Sequence, residues 1–195
     1  MINEAQAKAL VLNRCDTFSQ DGERFAVQSC TLSPKGDYWI IRANSEDFVL
    51  RGIQERCYVG VNAHLVDTAS GCIETVGSAQ SVEQYLEDKY DLTEAGDKHY
   101  VLEPSFGRDD KATTILLRQK LDCSVQRAIE LLSPASRRWL TGKKSTLRKA
   151  QSLLAQEGIS TSIQLQVAPG SALNIDDSVW YWEELKALLN RHGIK

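Results

Sequence analysis

Residues His64–Tyr90 read HLVDTASGCIETVGSAQSVEQYLEDKY, and their reading sets the fold class. Ala63–Asp67 and Cys72–Val76 are two β-prone runs. Between them, Thr68-Ala-Ser-Gly71 gathers the small and polar residues that let a chain reverse. Ser81 stands where a helix cap belongs, with Gln84 in the capping-box position three residues on. Val82, Tyr85, Leu86 and Tyr90 follow at the spacing of one helical face, the face a core takes. A hairpin followed by a helix is a unit of α+β architecture. The stretch carries no evident nucleophile, metal cluster or phosphate loop, so its specification serves architecture.

Working upstream, Arg24–Leu32 alternates and is β-prone. Ser33-Pro-Lys-Gly-Asp37 makes a turn, because proline fixes one φ and glycine accepts a positive one. Tyr38–Ala43 is a second strand, completing another hairpin. Asn3 and Gln6 predict a capping box for a helix over residues 3–17, with Ala9, Leu10, Val11 and Leu12 as its apolar surface. Asn44–Asn62 is an irregular connection with Gly52 and Gly60 and room for a short helix or strand. The order helix, hairpin, hairpin, helix predicts a first domain over residues 1–92. Leu92–Lys98 is polar and marks the boundary.

Downstream, Tyr100–Glu103 is a short strand. Asp109 or Asp110 caps a helix through Ile115, Leu116 and Leu117. Ser124 caps a second, with Val125, Ala128, Ile129 and Leu132 on one face, and Pro134 stops it. Trp139-Leu140 and Gly142 connect to a third helix, capped by Ser145, that carries Leu147, Ala150, Leu153 and Leu154. Gly158 and Ile159 close it. Ser160–Val167 alternates as a half-buried strand. This gives β-α-α-α-β over residues 99–168. A tail over residues 169–195 adds a helix from Asp176 to Asn190, with Trp180, Leu185, Leu188 and Leu189 apolar and Gly193 at its end. The fold expected is α+β, with two small α/β-sandwich-like domains.

The chain has 195 residues, 42% of them hydrophobic and 25% charged, with a mean hydropathy of -0.33. That composition suits a folded domain and argues against wholesale disorder. No apolar run approaches the roughly 18 residues a membrane span takes. The first residues show no signal-peptide pattern, which places the protein in the cytoplasm as an expectation. Five cysteines, none spaced C-x-x-C, predict neither a disulfide framework nor a zinc site. Net charge is -3 and uneven. Up to Lys98 sixteen acids face nine bases, and beyond it ten acids face fourteen. Opposite signs fit two units, each with its own surface.

The search for chemistry returns little. His64, His99 and His192 have no cysteine or carboxylate at ligand spacing, which predicts structural or exposed roles and no metal or other cofactor. Glu83, Glu87, Asp88 and Asp91 form an acidic run on one helix, open to solvent or to a basic partner. Arg137, Arg138, Lys143 and Lys144 form a basic patch around Trp139. The patch is too small for the usual nucleic-acid footprint, so a protein partner ranks ahead of nucleic acid. Nothing reads as catalytic, and the protein is expected not to be an enzyme.

Two resemblances complete the reading. Tyr38-Trp39, Ser45–Phe48, Asn62–Asp67, Ser70–Ile73, Val76-Gly77 and Val82–Leu86 resemble the immunity protein 35 family, over about the first 90 residues. The resemblance implies a binding protein that neutralises a cognate secreted bacterial toxin, in polymorphic-toxin and type VI secretion systems that serve interbacterial competition. It carries no catalytic residue. Lys111–Lys120, Ser124–Ser133 and Ser145–Gly158 with the strand after them resemble the C-terminal domain of ribosomal protein L7/L12. Leu121-Asp-Cys-Ser124 stands in place of that family's glycine-rich turn, a departure that bears on the family's contact with translation GTPases. The expectation is therefore a toxin-binding immunity protein, with the acidic run as contact surface and the basic patch as the alternative. A translation-associated or protease-adaptor module is the second reading.

Overall fold

The computed structural model describes residues 1–18 and 22–192, except for the side chain at position 18. The architecture is α+β, with two separate four-stranded sheets. Contacts divide the chain into two bodies, Met1–Glu87 and Asp88–Lys195.

In the first body, α1 (Glu4–Phe18) precedes an antiparallel meander of β1 (Phe25–Leu32), β2 (Tyr38–Ser45), β3 (Val61–Asp67) and β4 (Ile73–Gly77). The expected capping box is present: Asn3 Oδ1 accepts from Gln6 N at 2.9 Å, and Gln6 Oε1 accepts from Asn3 N at 3.0 Å. The buried stripe of α1 differs from the expected one. Ala7 and Val11 are buried and Cys15 packs beside them, while Ala9 and Leu10 are exposed. Steps of four residues align side chains on one face, so the sheet receives this row.

Both predicted hairpins close on side-chain bonds. Ser33 Oγ accepts from Tyr38 N at 3.0 Å and donates to Asp37 Oδ1 at 2.7 Å. Asp67 Oδ1 accepts from Ala69 N, Ser70 N and Ser70 Oγ at 3.0, 2.6 and 2.8 Å. Gly71 then takes φ +74, which an L side chain rarely adopts. The connection after β2 holds α2 (Glu46–Arg51), whose cap Ser45 accepts from Phe48 N, and a 3-10 turn at Gln54–Arg56. α3 (Val82–Ala95) begins in this body, with Val82 and Leu86 buried and Ser81 Oγ accepting from Gln84 N at 3.1 Å. It runs unbroken through the predicted boundary at Leu92, and Gly96, with φ +54, follows its end. The contact division falls inside this helix.

The second body orders its sheet β7-β5-β6-β8. Its elements are β5 (His99–Pro104), α4 (Lys111–Leu121), α5 (Val125–Leu131), β6 (Leu140–Thr141), α6 (Lys144–Gln156), β7 (Thr161–Gln166), β8 (Leu173–Asn174) and α7 (Trp182–Arg191). Two short strands correct the predicted order. β6 pairs with β5 and β8 runs parallel to β6, so the segment read as a connection and part of the tail enter the sheet. Strands of two residues are too short to show an alternating pattern.

Three further corrections concern helices. Lys143, not Ser145, occupies the cap of α6 and makes no side-chain cap bond, because an ammonium group has no acceptor to offer. α7 begins at Trp182, since Asp176 Oδ1 is engaged by Ser178 N and Oγ in a turn. Gly193 lies outside the described residues. In α4 and α5, Ile115, Val125 and Ile129 are exposed, whereas Leu117, Leu121, Ala128, Leu131 and Leu132 are buried.

The core of this body surrounds Trp139, which is fully buried and donates Nε1–H to Leu131 O at 2.9 Å. Ile175, Leu185 and Leu189 from the tail belong to the same core. α6 ends as expected, with Ile159 N on Leu154 O and Gly158 N on Ala155 O, the paired bonds of a Schellman motif. Among the described residues, no helix is long and apolar enough to cross a membrane.

Candidate functional site

The first body carries a cavity of about 300 Å³, walled by Phe25, Ala43, Tyr58, Val59 and Val61. Local structure positions its rim. Asn44 is buried and grips the backbone of Tyr58 from both sides: Nδ2 donates to Tyr58 O at 2.9 Å and Oδ1 accepts from Tyr58 N at 2.8 Å. The same Oδ1 accepts from Ser45 N at 2.8 Å. Tyr58 donates its hydroxyl to Glu23 Oε2 at 2.6 Å, and its ring packs tilted on Phe25 at 5.2 Å. This clamp fixes a stretch whose large apolar residues face outward. Leu50, Ile53, Tyr58, Val59 and Val61 are exposed, Val59 at 89%.

Polar groups meet in the same cavity. Cys15 on α1 lies 3.6 Å (Sγ to Nε2) from His64 on β3, and His64 Nδ1 lies 3.1 Å from Thr75 Oγ1 on β4. His64 and Thr75 are direct cross-strand partners, which puts their side chains on one face of the sheet. Burial pushes the Cys15 thiol up, with Asp16 adding to it, and pushes His64 below its ordinary value, with Arg14 adding to it. Both groups are therefore held neutral near pH 7. Sequence spacing gave His64 no cysteine partner, and the fold supplies one. Two signals could have found it. Counting back from the Thr68–Gly71 turn sets His64 opposite Thr75, and Cys15 extends the row Ala7, Val11 by one more step of four.

The second body has a larger cavity of about 500 Å³, lined among others by Asp88, Asp91, Leu92, Tyr100, Gly142 and Lys144. Its Lys144 is already paired. Lys144 Nζ donates to Asp91 Oδ1 at 2.8 Å and Glu94 Oε2 at 3.0 Å, and sits 4.9 Å from the Tyr100 ring centroid. The Asp91 hydrogen bond chiefly raises the Lys144 ammonium far above its ordinary value.

The two predicted surfaces divide. Of the acidic run, Glu83 and Glu87 are exposed and Asp88 is half-buried, while Asp91 is buried against Lys144 and leaves the exposed set. Of the basic patch, Arg137 and Arg138 both approach Glu103 at 3.5 Å. Arg137 donates to Pro104 O and Arg138 to Ala168 O, each at 3.0 Å. Lys143 approaches Asp177 at 3.9 Å, and Lys144 turns to Asp91. Trp139 is buried beneath them and unable to stack on a base. Of the other histidines, His99 is exposed on β5 and His192 is buried with Nε2 2.8 Å from Arg138 O. Among the described residues no group of three His, Cys, Asp or Glu could hold a metal ion. All five cysteines are thiols. No family model, no curated protein and no solved structure matches this chain.

Proposed function

We propose that this protein is a non-enzymatic, cytoplasmic immunity protein that binds a cognate secreted antibacterial toxin and blocks it. One observation carries the reading: the clamped, outward-facing apolar stretch of the first body, Leu50, Ile53, Tyr58, Val59 and Val61. Large apolar side chains exposed together serve as anchors for a protein partner. The bonds of Asn44 to Tyr58 order that stretch in advance, so less entropy is lost on association. The resemblance to the immunity protein 35 family covers the same body and supplies the kind of partner. Its motif residues support a framework role: Asp67 and Gly71 make a turn, Ser45 caps α2, and Trp39 Nε1 donates to Ile2 O at 2.9 Å. Glu83, Glu87 and Asp88 add an acidic field that would steer a basic toxin.

The test is co-expression with the product of the neighbouring gene. A stable complex is expected, with the toxin's mass unchanged and its activity lost. Val59→Glu weakens binding at least about tenfold with the fold intact, and Glu83→Lys with Glu87→Lys slows association at low salt. If no neighbouring product binds at micromolar concentration, the reading fails. A second reading, an adaptor or translation-associated module on the second body, is favoured by exposed Ile115, Val125 and Ile129 on α4 and α5. Cosedimentation with ribosomes would support it.

A further inference from the structure

The cavity of the first body joins an apolar wall to a thiol, an imidazole and a hydroxyl in contact. We propose that Cys15 is a nucleophilic thiol that accepts a short apolar acyl group from an acyl thioester, with His64 as its base and Thr75 as the residue positioning the imidazole. The proposal does not rest on toxin binding, although Tyr58, Val59 and Val61 belong both to this cavity and to the proposed toxin contact.

The geometry assigns each role. Cys15 Sγ and His64 Nε2 stand 3.6 Å apart, and the role of base requires the tautomer in which Nε2 accepts the thiol hydrogen. In that tautomer Nδ1 carries the hydrogen and donates it to Thr75 Oγ1, 3.1 Å away. A nucleophile, a base and an orienting third group in series is the arrangement that activates thiols and hydroxyls. The cross-strand pairing of His64 with Thr75 fixes the ring between two strands. α1 lays Cys15 against it from the other layer, with Ala7 and Val11 in the same buried row. Phe25, Ala43, Tyr58 and Val61 give an acyl chain apolar contacts, and a volume of about 300 Å³ accommodates a short one.

The step balances without an oxidant or reductant. Cys15 Sγ attacks the carbonyl carbon as its proton passes to His64 Nε2. The bond from that carbon to the departing sulfur breaks with its electron pair. The departing thiolate takes the proton from Nε2, leaving a thioester on Cys15, a released thiol and neutral His64. Because burial keeps both Cys15 and His64 uncharged, the thiol reacts through its base rather than as a standing thiolate. The charged groups about the pair are Arg14 and Asp16 on α1, with Glu23 reaching the cavity rim through Tyr58.

The full chain is incubated with the octanoyl thioester of N-acetylcysteamine, and intact mass and peptide mapping are followed. One octanoyl group is expected on Cys15, removable by neutral hydroxylamine. Exposed Cys72 serves as the internal comparison and should react more slowly. His64→Gln should slow acylation about 100-fold or more, the usual contribution of a general base. Thr75→Val should slow it less, and Thr75→Ser should restore it. The wild-type pH profile needs no variant. The rate should rise through the titration of His64, below about pH 6.5, and then level. A rate that keeps climbing past pH about 9, as for a lone thiolate, overturns the proposal. So does acylation chiefly at Cys72, or a Cys15 rate indifferent to His64→Gln.

Discussion

The two bodies use their buried polar groups differently. The second closes around aliphatic side chains, Tyr100 and Trp139, with helices from both ends of its sequence contributing to the core, and it also buries Asp91, Thr114, Thr146 and His192. The first has a core under α1 centred on Ala7, Val11, Ile41 and Val66, and buries Ser33, Asn44, Ser45, His64 and Thr68 as well. Apolar burial stabilises without direction. Buried polar groups must be paired and therefore fix particular backbone positions. The difference teaches where each body's specificity lies. In the first body the buried polar groups hold turns, a connection and a cavity, whereas in the second Asp91 meets Lys144 and His192 meets Arg138 O around a core centred on Trp139.

Removing volume should break this contrast most strongly. Trp139→Ala empties the centre of the second core and also orphans Leu131 O. A loss of about 3–5 kcal/mol is expected. Trp39→Ala in the first body removes a half-buried ring with one bond to Ile2 O, and should cost clearly less. Urea unfolding of the two variants, followed by circular dichroism, checks the order.

Removing a polar hub should hurt the first body more than its lost volume explains. Asn44→Ala deletes three bonds to the backbone of Ser45 and Tyr58. Leaving buried partners unpaired costs about 1–3 kcal/mol. The same variant should release the Tyr58–Val59 segment, which amide hydrogen exchange would read as faster exchange there while α1 stays protected.

How much of this was legible in the sequence follows the same line. Hairpins with strong turn chemistry, the caps at Asn3, Ser81, Asp110 and Ser124, and the stop at Gly158 could be read because each depends on a few neighbouring residues. The short strands β6 and β8 could not, since two residues carry no period and their pairing is decided by the sheet around them. Helix faces were half legible. Leu147, Ala150 and Leu154 are core as expected, but apolar Val125 and Ile129 face outward, because hydrophobicity alone does not say which side a partner helix takes. The acidic run read as one surface, yet Asp91 turned inward once Lys144, 53 residues away, came to meet it. The Cys15–His64–Thr75 contact needed both register and helix face at once.

Acid should act on both bodies through one cause. His64 and His192 are both buried, and burial chiefly depresses both folded values below the unfolded one. For a base the sign follows directly. Above the unfolded value near 6.5 neither state is charged and no stability is lost. As pH falls below it the unfolded chain binds the proton first, so stability declines until the folded value is passed. The two surroundings differ. His64 has a thiol and a hydroxyl as partners. His192 has Arg138 O as acceptor for one nitrogen, with Arg127 close by. His64→Gln and His192→Gln should each flatten the decline of melting temperature below pH about 6.5. If neither changes the slope, burial of these rings does not set the acid response.

The smallest effect separates two helix caps, one from each body. Ser45 caps α2 from a buried, uncharged side chain, accepting from Phe48 N at 3.1 Å and donating to Arg56 O at 2.6 Å. Asp110 caps α4 from the surface, accepting from Thr113 N at 3.0 Å and from Thr113 Oγ1 at 2.7 Å. Those bonds hold the Asp110 carboxyl below its usual value, the backbone bond first. For an acid with a depressed folded value, the contribution is complete above the unfolded value and fades as pH falls through the folded one. Asp110→Ser keeps an oxygen in the capping position and removes the charge at the positive end of the helix. The variant should melt slightly below wild type at pH about 5 and converge with it toward pH about 2. Ser45→Asp provides the converse. Its carboxylate would have to be charged inside a buried network, so it should lose stability at neutral pH and recover part of it in acid. Parallel shifts in both variants, with no convergence, would show that the two caps contribute by shape alone.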